Sequence, residues 1–412
     1  MLRFTTTPTG DMHIGTLRVA IMNYLLAQQR KESFTIRIDD IDKSSNIEGK
    51  DTEIMQILEK FALNHESVFH QSEHLHMHQT LAIRLLEEGK AFVCTCTIKQ
   101  HETDPYSGRC FNVDKTEHAK LKEGSVPFVI RIKGELTSTA EEVDSFVILN
   151  VDGTPTQNFA CACDDMISGV DFILREEEQH FNTAKQIHIK KQLGFEQETI
   201  YAHLPHLTNT LGEKMLQEED TSLVKWLFGE GFIPDAIINY LLLLGNSEAE
   251  KEIFTLPEAI QWFKLENISK SEAVFDIDRL RSINAEHLRR MDDRQLSTLF
   301  GFADPDIGKL AKIYLEEVST IKELIAKIKP IFAAKDFDGV WGTQMRKMET
   351  LVQNAPMIND FDTFESYMLK ESGLKGEDFS IPLKLLLTGA QNGPKLADIY
   401  PLIKPYLLEV AS

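Results

Sequence analysis

The spacing of apolar residues predicts a strand, a helix and a second strand at the start of the chain. Leu2-Arg3-Phe4 is a short apolar strand, and the segment from Leu17 to Arg30 carries apolar residues at helical spacing. Residues 34–38 then alternate between apolar and polar, as in a second strand. Such a crossover pairs its strands in parallel and leaves ligand sites at their carboxyl ends. We therefore expect an α/β fold with a parallel sheet.

The predicted sheet is interrupted near Ala91 by a segment with a different pattern. Two amphipathic helices precede it, from about Glu48 to Leu63 and from His76 to Lys90. Cysteines, turns and short strands then take over, with strands predicted at 128–132 and 145–149. This change indicates a small inserted α+β domain. The predicted bounds are 91–157 for the insertion and 1–90 with 158–230 for the surrounding catalytic domain.

The sheet is predicted to resume after the insertion and to give way to helices. The predicted strands are Asn158 to Ala162, Val170 to Leu174 and Ile200 to Leu204, with a helix from Asn182 to Gln192. Cys161 and Cys163 then lie on an apolar strand, as core or cavity lining. From Ser222 onward the pattern is helical, which predicts an all-α region over 231–412. Its predicted helices include Pro234 to Leu244, Pro257 to Phe263, Leu310 to Ala333 and a leucine-rich end from Ile381.

The composition excludes several classes of protein. No apolar run reaches the roughly 18 residues that span a bilayer. The net charge of −20 argues against nonspecific binding to nucleic acid, although a specific RNA read by its shape stays possible. Five cysteines, an odd number, favour a reducing compartment over a disulfide framework. We expect a cytoplasmic monomer without membrane association.

The turn between the first strand and the first helix predicts an anion site. Pro8 and Gly10 break the strand, and His13 and Gly15 fall at the helix N-terminus, where backbone N–H groups are free. Such a terminus binds phosphate, and Gly15 lets a nucleotide approach the backbone. His13 can donate a hydrogen bond to phosphate oxygens. A purely structural turn is the alternative interpretation.

The opening motif is also similar to that of a known family. Residues 3–18, Arg-Phe-x-x-x-Pro-Thr-Gly-x-x-His-Ile-Gly-x-Leu-Arg, resemble the N-terminal signature of the glutamyl-tRNA synthetases, which are class I enzymes. The resemblance implies a Rossmann-like catalytic domain, an inserted acceptor-stem domain and an all-α anticodon-binding region. It also implies ligation of glutamate to a glutamate or glutamine tRNA through glutamyl-adenylate, with ATP and Mg²⁺ as the substrate complex.

Charged residues at the predicted strand ends fit an acidic amino acid. Arg3 lies on the first strand, Asp39 follows the second and Arg175 ends a later one, so the three converge at one sheet edge. An arginine fork binds a carboxylate, and an aspartate can hold an ammonium group. In the family that this chain resembles, the positions of Arg3 and Arg175 bind glutamate. The predicted substrate-binding residues are Arg3, Thr5, Asp39, Gln157 and Arg175.

Several of these positions depart from the family pattern. Asp39 is one methylene shorter than the family's glutamate, and Gln157 replaces the tyrosine of its Pro-Thr-Tyr motif. The family's Arg-Gly-Glu-Asp-His appears as Arg175-Glu176-Glu177-Glu178-Gln179. For Arg37 and Asp42, ordinary surface ion pairs are the alternative to a role in the site.

The second ATP-binding loop departs most. Class I synthetases carry a Lys-Met-Ser-Lys-Ser type loop whose cations stabilise the phosphates, and this chain reads Lys214-Met215-Leu216-Gln217-Glu218. Losing one such contact costs ~3 kcal/mol, or about a hundredfold in rate. The predicted catalytic residues are His13, Gly15 and Lys214, with Gln217 as a further ATP-binding position. The alternative is a catalytically impaired paralogue that keeps nucleotide or tRNA binding, and a third reading is a related nucleotidyltransferase with another amino-acid substrate.

The insertion contains a candidate metal site. Cys94, Cys96 and Cys110 are three thiols in one short segment, and zinc prefers four tetrahedral ligands of N or S type. The Tyr106 hydroxyl or His101 could be the fourth. Related synthetases have a Cys-x-Cys…Tyr-x-x-x-Cys zinc site, which this spacing resembles. The resemblance therefore implies a structural Zn²⁺ on Cys94, Cys96, Tyr106 and Cys110, and three reduced structural thiols are the alternative.

Overall fold

The computed structural model separates the chain into two compact units. It describes residues 1–96, 106, 110–111, 126–135, 143–215, 219–249 and 251–412. The first unit comprises residues 1–224 and 241–275, and the second comprises residues 225–240 and 276–412. Among the helices of this described part, none is both long and apolar enough to cross a membrane.

A parallel sheet opens the first unit, as the alternating apolar residues predicted. Strands β1 (Leu2–Thr6), β2 (Phe34–Ile38) and β3 (Ser67–His70) pair in that order, with Leu2 opposite Phe34. Helix α1 (Ile14–Arg30) connects the first two strands, and α2 (Lys50–Lys60) connects the second and third. The predicted β-α-β unit is therefore confirmed, and its core contains the apolar residues Leu2, Phe4, Leu17, Ile21, Leu25 and Ile36.

An antiparallel sheet follows at the predicted insertion. Helix α3 (Leu75–Glu87) leads into β4 (Ala91–Cys94), β5 (Val129–Ile132) and β6 (Phe146–Leu149). These strands pair in the order β4-β5-β6, with a register shift between Ile130 and Arg131. The strands predicted at 128–132 and 145–149 are therefore confirmed, whereas His101 lies outside the described residues.

The strand predicted at Asn158 to Ala162 is wrong, because this segment is helical. Helix α4 (Gln157–Ile167) begins after Thr156. Every residue from Phe159 to Asp165 is buried, so the helix shows no polar face and its apolar run does not distinguish it from a strand. Cys161 and Cys163 consequently lie on a helix, with Cys161 at a cavity wall and Cys163 in the core.

A second parallel pair completes the strands around the site. Strands β7 (Phe172–Glu176) and β8 (Ile200–Leu204) place Arg175 opposite His203, and α5 (Asn182–Gln192) connects them after a 3-10 turn at Glu177–Phe181. Strand β9 (Leu207–Thr208) pairs in parallel with β10 (Ala273–Val274). Only helices were predicted after Ser222, and β10 was missed because a strand of two residues is too short to show an alternating pattern. Between β9 and β10, the described residues form α6 (Val224–Gly229), α7 (Pro234–Leu243) and α8 (Leu256–Trp262).

Residues 276–412, the larger part of the second unit, are helical. The helix predicted from Leu310 to Ala333 is in fact two helices, because Thr320 starts a new one. The N–H of Thr320 donates to Glu323 Oε2 at 3.2 Å and its Oγ1 accepts from the N–H of Glu323 at 3.4 Å, which forms a capping box. The helices are α9 (Ile277–Arg290), α10 (Asp293–Thr298), α11 (Pro305–Tyr314), α12 (Ile321–Phe332), α13 (Gly342–Asn354), α14 (Phe361–Ser372), α15 (Glu377–Thr388), α16 (Leu396–Ile403) and α17 (Leu407–Val410).

Candidate active site

Two adjoining cavities lie at the carboxyl ends of the parallel strands. The strand-end cavity, of about 160 Å³, is lined by residues that include Arg3, Thr5, Arg37, Asp39, Gln157 and Arg175. The helix-mouth cavity, of about 350 Å³, is lined by residues that include His13, Gly15, Arg18, Glu178, His206 and Lys214. Val19 and Glu176 line both cavities. The residues predicted to bind the amino acid therefore share the first cavity, and His13, Gly15 and Lys214 share the second.

Arg3 is held by a carboxylate that the sequence pattern did not indicate. Its Nε and Nη2 atoms donate to Oδ1 and Oδ2 of Asp165 at 2.9 and 3.0 Å, and both side chains are buried. Burial alone would raise the pKa of Asp165, but the charges of Arg3 and Arg37 hold that pKa well below its usual range. Asp165 is therefore ionised at neutral pH and orients the Arg3 guanidinium.

Arg37 continues this arrangement into what we call the charge chain, formed by Arg3, Asp165, Arg37 and Asp39. Arg37 Nη1 donates to Asp165 Oδ1 at 2.8 Å, and its Nε and Nη2 atoms donate to Asp39 at 2.6 and 3.3 Å. Because Arg37 is only 1% exposed, the reading of a surface ion pair is wrong for this residue. Asp42 is exposed, and its carboxylate accepts hydrogen bonds from Ser44 and Ser45.

Arg175 has a different environment, because its hydrogen-bond partners among the described residues are all neutral. It donates to Gln186 Oε1 at 2.8 Å, to Thr183 Oγ1 at 2.6 Å and to His203 Nε2 at 3.2 Å. Burial and the nearby Arg3 lower the pKa of Arg175 to about 10, so it stays charged at neutral pH. Burial and Arg175 lower the pKa of His203 to about 4, which keeps the ring an acceptor. The strand-end cavity thus contains a buried cation whose charge is not neutralised by a paired carboxylate.

The sequence pattern contained one signal for Asp165. Asp164 and Asp165 are adjacent carboxylates in an otherwise apolar segment, and a buried carboxylate needs partners. Asp164 receives hydrogen bonds from Gln71 at 2.8 Å, His74 at 2.9 Å and His78 at 2.8 Å. The two carboxylates thus face different partners from successive positions of α4. Besides Asp165, the residues that sequence reasoning missed as partners in the strand-end cavity are Thr183, Gln186 and His203.

His13 caps α1 and keeps one ring nitrogen available. Its Nδ1 accepts from the N–H of Gly15 at 3.0 Å, so the proton of the neutral ring is on Nε2. Burial lowers the pKa of His13, so the neutral form prevails at neutral pH. Nε2 is buried and has no hydrogen-bond partner in the described part of the chain. A Cβ on Gly15 would approach His13 Nδ1 to 3.0 Å and Glu176 Oε1 to 3.1 Å, which explains the glycine.

Lys214 is at the edge of the helix-mouth cavity, on the loop that follows β9. The N–H of Met215 donates to the carbonyl of Leu207 at 3.0 Å, which returns this loop to the cavity. Lys214 Nζ forms an ion pair with Glu178, and the two side chains are 49% and 46% exposed. The lysine lowers the pKa of the Glu178 carboxyl. Gln217, the other predicted ATP-binding residue of the loop, lies outside the described residues.

The predicted metal ligands converge at the edge of the inserted sheet. The Sγ atoms of Cys94, Cys96 and Cys110 lie within 4.8 Å of one another, and the Cys96 and Cys110 sulfurs are 3.6 Å apart. Tetrahedral zinc with Zn–S bonds of about 2.3 Å needs sulfurs about 3.8 Å apart, so the cluster fits this ion. The Tyr106 hydroxyl lies 3.8 Å from Cys94 Sγ and accepts from the N–H of Cys110 at 2.8 Å.

Comparison with known proteins identifies the family. A family model described as the catalytic domain of class I tRNA synthetases (E and Q) matches residues 1–282. The chain is 60% identical over 429 residues to glutamate–tRNA ligase 2 of a Sulfurovum species, with all of both chains covered. It is 46% identical over 434 residues to glutamate–tRNA ligase 1 of a Nitratiruptor species, again with complete coverage of both.

The fold agrees with a solved structure of lower sequence similarity. The crystal structure of a glutamate tRNA ligase from Elizabethkingia meningosepticum CCUG26117, in complex with its amino acid, superposes with a TM-score of 0.77. That match is 21% identical and covers 99% of this chain and 97% of the other. It confirms the predicted Rossmann-like α/β fold. Taken with the family model and the full-length relatives, the chain belongs to the class I tRNA synthetases of the glutamate and glutamine group.

Proposed function

We propose that the protein ligates glutamate to tRNA with ATP, through a glutamyl-adenylate intermediate. One observation carries this proposal. The strand-end cavity is large enough for an amino acid and is lined by Arg3 and Arg37, which pair with carboxylates, and by Arg175, whose partners among the described residues are neutral. It adjoins the cavity at the N-terminus of α1, and the two share Val19 and Glu176. The shared wall suits a reaction in which the glutamate carboxylate attacks the α-phosphate of ATP and pyrophosphate leaves. A terminal ribose hydroxyl of tRNA then takes the glutamyl group, and AMP leaves. Such a reaction needs positioning and charge stabilisation rather than a side-chain nucleophile. The names of the full-length relatives support the same activity.

In this proposal the charges of the strand-end cavity orient glutamate. Asp39 is bonded by Arg37 on one side and lines the cavity, so it can receive the substrate ammonium group. Arg175, which lacks a carboxylate partner in the described residues, binds the side-chain carboxylate of the substrate, with Arg3 beside it. Thr5 and Gln157 line the same cavity and supply polar contacts. A neutral side chain such as that of glutamine would leave the Arg175 charge unbalanced, which favours glutamate.

The helix-mouth cavity would bind the magnesium complex of ATP. The buried Nε2–H of His13, which has no partner among the described residues, is a donor beside the N-terminus of α1, where phosphate oxygens are favoured. Lys214 supplies a cation once it exchanges Glu178 for a phosphate. Gln217 follows in sequence at the place of the second loop lysine, and its neutral side chain cannot replace that charge.

One observation favours the alternative, a synthetase paralogue with impaired catalysis. Glu176 and Glu178 both line the helix-mouth cavity, and Glu178 already holds Lys214. Carboxylates in this position oppose the build-up of negative charge on the phosphates. The paralogue would keep nucleotide or tRNA binding and lose efficient adenylate formation.

The deciding experiment is tRNA-dependent pyrophosphate exchange with glutamate. It compares the natural chain, Gln217→Lys and the control Gln56→Lys, which adds the same charge on an exposed position of α2. Exchange in the natural chain supports the synthetase, with an increase of about tenfold to a hundredfold in Gln217→Lys alone. Absence of exchange in the natural chain with recovery in Gln217→Lys supports the impaired paralogue. Absence in both variants and the natural chain contradicts adenylate formation at this site.

We also propose a structural Zn²⁺ on Cys94, Cys96, Cys110 and the Tyr106 hydroxyl, because the three sulfurs fit a tetrahedral ion. Elemental analysis of the purified protein should give about one zinc per chain. Cys94→Ser should remove it, and Cys163→Ser, a buried thiol of α4, should keep it. A zinc content well below one per chain that Cys94→Ser leaves unchanged would contradict the site.

The remaining assignments follow from the same proposal. Residues 91–157 would contact the acceptor stem of a glutamate or glutamine tRNA, and the helices of 231–412 would contact the anticodon. We propose a monomer in the cytoplasm, and a reducing compartment is supported by the five cysteines, all of them described, because none forms a disulfide bond. Charging assays with purified glutamate and glutamine tRNAs distinguish the two RNA partners.

A further inference from the structure

Glu176 lies where the two cavities meet. It is the last residue of β7, it lines both cavities, and its Oε1 accepts a hydrogen bond from Thr16 Oγ1 at 3.2 Å. The same oxygen lies 3.1 Å from the position that a Cβ on Gly15 would take, so the carboxylate is at the first turn of α1. A helix N-terminus attracts negative charge, and here a carboxylate of the chain itself takes that place.

The cations around this carboxylate are committed to other groups. Lys214 pairs with Glu178, and the buried Arg18 donates to two backbone carbonyl groups at 2.7 and 3.4 Å. Within the part of the chain that the structure describes, no ion pair to Glu176 is formed. Burial and the nearby Glu178 raise the pKa of Glu176, and the Thr16 hydrogen bond and the charges of His206 and Lys214 offset that rise only in part.

We propose that Glu176 is a specificity-determining residue that makes the helix-mouth cavity reject metal-free nucleotide and accept its magnesium complex. This role rests on the proposed function, because it takes that cavity as the ATP site. Triphosphate entering the cavity brings negative charge close to the carboxylate, in a partly buried place where solvent and salt screen weakly. Mg²⁺ on the phosphates neutralises part of that charge, so the complex is repelled less.

The test measures nucleotide binding to the full chain by isothermal titration calorimetry at about pH 8, above the usual carboxyl range. The protein samples are the natural chain, Glu176→Gln and the control Glu177→Gln, which makes the same change at the next, exposed residue. The probes are ATP with EDTA, ATP with excess Mg²⁺, and adenosine. In Glu176→Gln we expect metal-free ATP to bind about tenfold tighter and the magnesium complex about threefold tighter. Adenosine should bind as in the natural chain, and Glu177→Gln should change none of the three.

Other results would show whether the role of Glu176 or the ATP site itself is wrong. Weaker binding of adenosine and ATP in Glu176→Gln would mean that the carboxylate contacts the nucleoside, and selective loss of the magnesium complex would mean that it binds the ion. Either result, or equal affinities in both proteins, overturns the role of Glu176 while the ATP site stands. No ATP binding to any protein overturns the nucleotide site and this role together. Glu176→Ala removes the same charge and serves if Glu176→Gln does not fold.

Discussion

The strand-end cavity and the helix-mouth cavity adjoin, but they hold their charges in different ways. At the strand-end cavity, the buried Arg3, Asp165 and Arg37 are joined to one another and to the largely buried side chain of Asp39 by hydrogen bonds of 2.6 to 2.9 Å. In the helix-mouth cavity, the ion pair of Lys214 with Glu178 is about half exposed to solvent. The first arrangement fixes its side chains in place, whereas the second lets them exchange partners. The two halves of the proposed active site should therefore respond very differently to substitution.

The largest difference is expected from Asp165→Asn. It removes the carboxylate that holds both Arg3 and Arg37, and breaking a buried pair costs about 4 kcal/mol in the free energy of unfolding. Because the pKa of Asp165 is lowered in the fold, this stability is present above about pH 4 and is lost as the pH falls below that value. Urea unfolding at several pH values measures it. The exposed control Asp42→Asn should change stability by less than about 0.5 kcal/mol, and an equal effect in both variants would contradict the buried network.

Arg175→Met tests which arginine receives the substrate carboxylate. Its charge is not matched by a carboxylate partner in the described residues, so we expect glutamate to bind about a hundredfold more weakly. Calorimetric titration with glutamate gives the affinity. Arg175→Lys keeps the charge and loses the planar fork, so its affinity for glutamate should lie between those of the natural chain and Arg175→Met. Unchanged affinity in Arg175→Met would assign the carboxylate to another group.

His203→Gln tests how much of the loss of stability in acid comes from His203, the partner of Arg175. Folding lowers the pKa of His203 to about 4. Between about pH 6.5 and pH 4, the His203 ring is therefore protonated in the unfolded state and neutral in the folded state. Stability therefore falls as the pH is lowered through this window. Glutamine accepts from Arg175 without titrating, and it should reduce the loss by about 1 kcal/mol after allowance for solvent screening. Thermal unfolding at pH 7 and at about pH 4.5 measures this, and identical acid losses in both proteins would contradict it.

The smallest effect on stability is expected from Lys214→Met. An ion pair that is half exposed contributes about 0.5 kcal/mol or less, so the unfolding free energy should hardly change. ATP affinity, measured by calorimetry with Mg²⁺, should fall by about tenfold, because a phosphate partner is lost. A large loss of stability would place Lys214 with the buried charges of the strand-end cavity and would remove the contrast between the two cavities.

Sequence patterns predict a helix best when it has one polar and one apolar side, and a strand best when apolar and polar residues alternate along it. Strand β2, with its alternation, and helices α2 and α3, each buried along one side, follow this rule, whereas α1 is buried from Leu17 to Ala27 and was predicted from its apolar spacing alone. Helix α4 does not, because its residues from Phe159 to Asp165 are all buried. The break between α11 and α12 is marked by the capping box of Thr320 and Glu323. It was missed because the apolar pattern continues across it.

The candidate site was predictable as far as it depends on strand ends. Arg3, Asp39 and Arg175 each lie on, follow or end a parallel strand, so sequence order brings them to one cavity. Asp165 comes from a helix that was assigned as a strand, and His203 becomes a partner of Arg175 only through the pairing of β7 with β8. Such contacts depend on which elements lie side by side, which one sequence does not specify. The pairing of Lys214 with Glu178 is of the same kind.

The charge chain also constrains how this protein can change over generations. Arg37 serves Asp39 and Asp165 at once, and Asp165 serves Arg3 and Arg37. A substitution at any one of the four leaves a buried charge with too few partners, so a second substitution must accompany it. Among the described residues, Glu176 and Glu178 have no such ties to several buried partners. A single substitution should therefore cost less stability at Glu176 or Glu178 than at any residue of the charge chain, and variation should appear first at these two carboxylates.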